Sequence, residues 1–535
     1  MRGVPKLMDE KDVLIAQLKK QNAALQQMIE DLQKQVKNLT EAVLLLRKNR
    51  FGSKSERTRN LMEEDGQLNL FNEIEVESDP NKKEKDPIQI TRNKVKVRQP
   101  KTRREVVTHG LPEEEVILDI PEKEANCVQC GTKLKPIGKK VVRKTLQYIP
   151  ASLKIINYVQ ISYECPRCKS TDHPYIVARK APAPMLNHSL ASPSTVADII
   201  AGKYRDALPL YRQETIWHNM GIDLSRTTMA NWLTRCTEEY FAPLVERIRE
   251  DLVKRDILHA DETHVQVLKE PDRKPQNKSY MWVFTTAKQD EKPAVVYDYQ
   301  PSRSGDCARN FLGGFSGYLQ TDGYAAYHKV ENATHCGCWA HLRRKFAEAI
   351  QVKNKGDTST TAETGLQYCN KIFDIETELA DKSAKERYTK RLELAKQVLE
   401  AFWAWLDSLH VLPKSKLGDA VTYAINQKPY LQNYLLDGRL EISNNRAENA
   451  IRPFTLGRKN WLFAITPRGA SSSAAIYSLV ESAKANGLDV YKYFNYILTL
   501  MPGMDWHNHP GLLDKLLPWS KKAKLYCADK KLQEI

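Results

Sequence analysis

Hydrophobic positions near the start of the chain recur in heptads. Leu18, Leu25, Leu32, Leu39 and Leu46 are spaced by seven, and Ile15, Asn22, Ile29, Val36 and Val43 stand three residues ahead of each. Leucine at d with β-branched residues at a, broken by one asparagine, favours a parallel two-stranded coil in fixed register. An amphipathic helix packed on its own chain is the alternative, but an unbroken run without Pro or Gly favours pairing of two chains across residues 1–50. The period then stops. Residues 51–105 have no helical repeat and become dense in Lys and Arg toward their end, as in a basic flexible linker that either lies along phosphates or is simply solvated.

Short alternating segments at 141–148 and 154–163 predict hairpin strands within a unit spanning 106–184. The region 185–254 is helical in pattern. Strand-like runs at 256–268, 280–286, 294–299 and 317–320 fall within 255–349. A charged, mostly helical stretch covers 350–436, a segment with Glu448 covers 437–490, and 491–535 reads as an apolar, Trp-containing tail.

Within 210–235 the pattern predicts a helix-turn-helix. A helical run ends near Asn219, Gly221 permits a sharp turn, and Ser225 is placed to cap a second helix. Arg226, Thr227, Thr228 and Asn231 would face a DNA groove, with Met229 and Trp232 turned inward. A plain helical hairpin has the same pattern.

Composition narrows the partner. Lys and Arg total 82 against 66 Asp and Glu, a net charge of +16 with a pI near 9.1. That excess suits a polyanion, because cations that neutralise phosphates release condensed counterions. No N-terminal stretch reads as a signal peptide, and no apolar run approaches the roughly 18 residues that span a bilayer. Ten cysteines spread over the chain do not make a disulfide framework. A soluble intracellular protein without a membrane partner is expected.

Four of those cysteines have metal spacing. Cys127-x-x-Cys130 and Cys165-x-x-Cys168 are two knuckles, each able to present two thiolates to one ion. Together they predict a zinc ribbon with one structural zinc, since four thiolates leave no open coordination position; redox thiols or chance spacing are the other readings, and His173 is a weaker alternative ligand. Two acids also stand out. Asp261 closes the run Ile257-Leu258-His259-Ala260, and Asp322 follows Tyr318-Leu319-Gln320-Thr321. Carboxylates at the ends of apolar strands are costly to bury without a partner or a metal, although exposed strand-to-turn junctions also favour Asp. Joined by a third acid from a helix they would form the oxygen-rich cage that magnesium prefers.

Several motifs together carry a resemblance. They are Leu208-Pro209-Leu210-Tyr211-Arg212-Gln213, Ala260-Asp261-Glu262-Thr263, Leu319-Gln320-Thr321-Asp322-Gly323-Tyr324, Cys338-Trp339-Ala340-His341-Leu342-Arg343-Arg344-Lys345-Phe346 and Asn444-Asn445-Arg446-Ala447-Glu448-Asn449-Ala450-Ile451-Arg452-Pro453, the last continuing into Leu456-Gly457-Arg458-Lys459-Asn460-Trp461-Leu462. Over nearly its whole length the chain resembles the large transposase of the insertion sequence 66 family. The resemblance implies a multidomain α/β protein, with an RNase H-like catalytic core preceded by coiled coil, zinc ribbon and helix-turn-helix.

It also implies a catalytic triad of Asp261, Asp322 and Glu448 holding two magnesium ions for strand cleavage and strand transfer of DNA. Asp322 stands 61 residues after Asp261, and Glu448 stands 126 after Asp322. The second interval is long for such a core, so 350–436 reads as a helical insertion between two parts of it, 255–349 and 437–490. His341, Arg343, Arg344, Lys345, Arg446, Arg452, Arg458 and Lys459 would offer donors to DNA phosphates, or form a solvated basic face. Glu262 and Glu441 receive no catalytic role from the match. His264 departs from the proline often found at that place.

The implied partners are double-stranded DNA at element ends and target, a second copy of the chain, and small accessory proteins of the same element, in a bacterial cytoplasm at the nucleoid. A dimeric zinc-ribbon regulator, or an inactive transposase-derived protein, would keep the coil, the cysteines and the helix-turn-helix. It would not require the three acids together in their matching contexts.

Overall fold

The computed structural model describes residues 153–164, 176–178, 181–350 and 360–528, apart from a few isolated positions before them. The zinc-knuckle cysteines and the basic linker lie outside the described residues, as does the N-terminal coil except Asn22 and Gln26, both helical and exposed. Residues from Leu153 onward fall in one compact unit.

The strands β1 (Ser162–Glu164) and β2 (Ile176–Ala178) pair antiparallel. A helical block follows: α1 (Pro193–Ile200), α2 (Leu210–Asn219), α3 (Arg226–Cys236) and α4 (Ala242–Leu252). Short side chains cap two of these helices: Ser192 Oγ accepts from Thr195 N, and Ser225 Oγ from Thr228 N. Gly221, at φ 88°, makes the turn between α2 and α3. Met229 and Trp232 are buried while Arg226, Thr227 and Asn231 are exposed, so one face of α3 is free.

The central sheet holds β3 (Ile257–Gln266), β4 (Lys278–Thr286), β5 (Val295–Gln300), β6 (Tyr318–Gln320) and β7 (Thr334–Cys336) in the order β5-β4-β3-β6-β7. The first three form an antiparallel meander; β6 and β7 join parallel to β3. Helix α5 (Gly305–Phe311) makes the crossover to β6. Beyond β7 come α6 (Trp339–Ala349), α7 (Thr361–Glu378), α8 (Ala384–Lys390), α9 (Lys396–Asp407), α10 (Lys416–Leu431), α11 (Asn445–Trp461), α12 (Pro467–Ala485), α13 (Val490–Leu500) and α14 (Lys521–Cys527).

Two cores result. The larger joins the sheet to α1, α3, α12 and α13; the other joins α6 to α7, α9 and α10 around Trp339, Phe346 and Phe402. The edge of β5 is closed by a helix. Ser482 Oγ accepts from Val295 N (2.9 Å) and Ser478 Oγ from Tyr297 N (2.8 Å), so α12 satisfies amides that an open edge would leave to water or to another strand. Residues 491–528 are not an appended tail: Tyr493, Phe494, Ile497 and Leu498 are buried, and Phe494 meets Phe241 edge-on at 5.2 Å.

Within the insertion, one buried cation holds the chain that leaves it. The Arg391 side chain is fully buried, binds both Glu376 carboxylate oxygens (2.7 and 2.6 Å), and donates to the carbonyls of Tyr434, Asp437 and Leu440. Those carbonyls belong to the segment that leads into α11. Among the described residues no helix is long and apolar enough to cross a membrane.

Candidate active site

Strand register brings the first two acids together. In the parallel pair, His259 lies opposite Gln320. Asp261 stands two residues further along β3 and Asp322 two residues past Gln320, in the bend after β6, where its charge acts on Asp261. Asp261 does not close its strand as the apolar run predicts. β4 pairs with β3 as far as Gln266, so Asp261 sits mid-strand, beyond the end of β6 alone.

The turn after β6 is held by the insertion. Asp322 Oδ1 accepts from Tyr324 N (2.9 Å), Tyr423 Oη donates to Asp322 O (2.8 Å), and Gln427 Nε2 donates to Gly323 O (3.3 Å). Gly323 has φ 91°, and a Cβ there would stand 2.7 Å from Gln427 Oε1.

Glu448 comes from the first turn of α11. Asn444, immediately before that helix and fully buried, fixes its start: Nδ2 donates to Ala260 O (2.8 Å), Oδ1 faces His259 Nδ1 (3.3 Å), and its amide donates to Cys338 Sγ (3.1 Å). The residue before Asp261 is thus joined directly to the start of the Glu448 helix. Gln320 Nε2 reaches Glu441 O (2.6 Å) and links the Asp322 strand to the same segment.

The acids also feel one another's charge. Burial, followed by the charges of Glu262 and Asp322 and also that of Glu448, pushes the Asp261 carboxyl well above its ordinary range. His341 Nδ1 lies 3.8 Å from Glu448 Oε1, and Arg344 3.9 Å from Glu448 Oε2. Burial lowers the His341 pKa, opposed by Glu448, so the ring favours its neutral form. Burial also pushes the Cys338 thiol up to about 11, against the pull of the Asn444, His341 and Ala340 amides.

The neighbouring acids are engaged elsewhere. Glu262 points to the other side of β3, paired with Arg303 and bonded by Tyr327 Oη. Glu441 Oε1 lies 3.9 Å from buried His259 Nε2.

The basic residues divide by surroundings. Arg344 is exposed, and Lys345 lies over the Tyr423 ring at 5.1 Å. Arg343 donates to Asn370 Oδ1 (2.7 Å). Arg446 donates to Thr286 O and Arg458 to Thr263 and His264, so both spend donors inside the fold. Arg452 is half-buried, with a buried Nε that makes no hydrogen bond, and Lys459 is exposed. His259, Gln320, Cys338 and Asn444 carry no site role in the sequence reading. The available signal is a polar residue two places before each aspartate, inside an otherwise apolar strand.

Clustered carboxylates on a mixed sheet, flanked by cations, are the kind of donor set that a hard divalent cation takes. Comparison with known proteins is in accord. The profile described as the transposase IS66 family matches residues 188–472, that of the zinc-finger binding domain of transposase IS66 matches 124–169, that of the IS66 C-terminal element matches 478–519, and that of the transposase C of IS166 homeodomain matches 38–116. The chain belongs to the IS66 family of transposases. Two proteins of Sinorhizobium fredii, uncharacterized protein y4qI and uncharacterized protein y4jD, are each 30% identical to it, over 523 and 431 residues. The first alignment covers 94% of this chain and 92% of the relative; the second covers 77% and 81%. All three acids fall within the first match, and all four knuckle cysteines within the zinc-finger match.

Proposed function

We propose that the chain binds the ends of an insertion sequence and catalyses metal-dependent DNA strand cleavage followed by strand transfer into target DNA. The observation that carries this reading is the approach of Asp322 and the first turn of α11 to buried Asp261, whose carboxyl is raised by burial first, then by Glu262 and Asp322, and last by Glu448. The order of three antiparallel strands followed by two parallel ones supports an RNase H-like core.

The donor set fits a hard divalent cation. Asp261 is crowded by like charge, and Glu448 Oε1 is buried without a hydrogen bond, so both gain from a cation of oxygen-ligand preference. Magnesium held as two ions by Asp261, Asp322 and Glu448 would supply charge stabilisation for the attacking and leaving oxygens of an in-line displacement. Water is the first nucleophile, freeing a 3′ hydroxyl at the element end, and that hydroxyl is the second.

The protein residues position the phosphate. Arg344, exposed and turned toward Glu448, and Lys345 offer cations beside the scissile group, while Lys459 serves flanking phosphates. Arg226, Thr227 and Asn231 on the free face of α3, with half-buried Thr228 beside them, read the element end. A structural zinc on Cys127, Cys130, Cys165 and Cys168 orders the preceding unit, and the N-terminal coil pairs two chains. The test is magnesium-dependent cleavage of labelled element ends by the wild type beside Asp261→Asn and Asp322→Asn. Cleavage by the wild type alone is expected; equal cleavage by either variant would refute the triad.

A further inference from the structure

The N-terminal turn of α6 brings a second kind of metal-ligand chemistry beside Glu448. Cys338 Sγ, a His341 ring nitrogen and a Glu448 carboxylate oxygen all lie within 4.8 Å of one another. His341 Nδ1 and Glu448 Oε1 are 3.8 Å apart, too far for a hydrogen bond, and neither atom makes one elsewhere although both are buried. Two unsatisfied buried atoms facing each other at that distance leave room for a shared ion. With bonds of about 2.0–2.3 Å, ligand atoms on one tetrahedral zinc stand roughly 3.3–3.6 Å apart, so the cluster needs closure of at most about 1.2–1.5 Å. Cys338 is fully buried, and its sulfur accepts from the Asn444 amide at 3.1 Å, which fixes its position.

We propose that Cys338, His341 and Glu448 form a site for a borderline-soft divalent cation, zinc above all, separate from the zinc of the cysteine knuckles. One sulfur, one nitrogen and one carboxylate oxygen are the donors zinc takes, and three protein ligands leave a fourth position open. Magnesium, which takes oxygen donors, has no use for the sulfur. Binding exchanges the Cys338 thiol proton for a metal–sulfur bond and releases that proton to solvent. Because Glu448 is shared, zinc there withdraws it from the magnesium site; this consequence rests on the transposase reading, whereas the site itself does not.

The experiment uses full-length protein kept reduced. Zinc content is measured after equilibrium dialysis at a series of free zinc concentrations, for wild type, Cys338→Ser and His341→Asn, with thermal melting to establish that each is folded. The wild type is expected to take up one zinc more than either variant. Equal uptake by all three would overturn the site. In parallel, zinc is titrated into the magnesium-dependent cleavage reaction, each protein normalised to its own zinc-free rate. Half-inhibition of the wild type at a concentration at least about tenfold below that of Cys338→Ser is expected, and equal sensitivity would overturn the competition. A wild type that binds the additional zinc but cleaves under no condition would refute the transposase reading and leave the zinc site standing.

Discussion

Replacing Arg391 by methionine tests how the insertion delivers Glu448. The guanidinium is fully buried and makes five hydrogen bonds, two to Glu376 and three to the carbonyls of Tyr434, Asp437 and Leu440. Methionine fills much of the volume but offers no donor, and Glu376, only 8% exposed, would keep just the 3.4 Å contact to Arg387. Breaking a buried pair in this way costs about 3–5 kcal/mol, and each carbonyl left without a donor adds up to roughly 1 kcal/mol before relaxation. The total, about 3–8 kcal/mol, corresponds to a fall in Tm on the order of 4–10 °C at about 2.1 cal/mol/K per residue for a unit of roughly 380 residues. Melting of the full-length protein followed by near-ultraviolet circular dichroism measures it. The double variant Arg391→Met, Glu376→Met removes both charges and should regain at least half of the loss. A single variant melting within about 2 °C of the wild type would refute the claim that this cation holds the 434–440 segment, and with it the placement of α11.

Other consequences follow from the same geometry. The folded-state pKa of Asp261 is raised, so the metal-free protein loses stability as pH climbs above the ordinary carboxylate range toward that raised value; Asp261→Asn should therefore raise the Tm of metal-free protein at neutral pH, with the difference vanishing near about pH 4. A lower Tm for the variant at neutral pH would contradict this. Cys127→Ser with Cys165→Ser should remove the structural zinc and weaken end binding, as metal analysis and a gel-shift assay would record; full zinc retention would exclude the ribbon assignment. Ser225→Ala removes the cap of α3 and should cost about 1 kcal/mol together with several-fold weaker end binding, whereas unchanged stability and binding would count against α3 as the reading helix.

Local signals were legible in the sequence where one residue type does one job. Ser225 reads as a cap and Gly221 as a turn, and both serve so here. The aspartates stood out beside apolar runs, but ordinary strand-to-turn junctions favour Asp too, and only the family resemblance joined them to Glu448. The centre of β3 was not, since only pairing with β4 extends that strand past the apolar run. Arg391 looked like one more cation in a charged helical stretch; its burial depends on Glu376 and on carbonyls more than forty residues away. The segment 491–535 read as a tail because its packing partners, α1 and Phe241 among them, lie some 250–300 residues earlier. His259, Gln320 and Asn444 were invisible as a group until the fold joined three distant stretches through them.

The most direct test of the catalytic assignment compares Glu448→Gln with Glu441→Gln, neighbouring acids on the same stretch that differ in placement. Glu448 stands with Asp261 and Asp322, while Glu441 faces buried His259. Cleavage of labelled element-end DNA with magnesium is measured alongside binding of the same DNA by the same preparations. The account predicts that Glu448→Gln binds the ends and does not cut them, while Glu441→Gln retains appreciable cleavage. Cutting by Glu448→Gln at the wild-type rate, with Glu441→Gln inert, would contradict it.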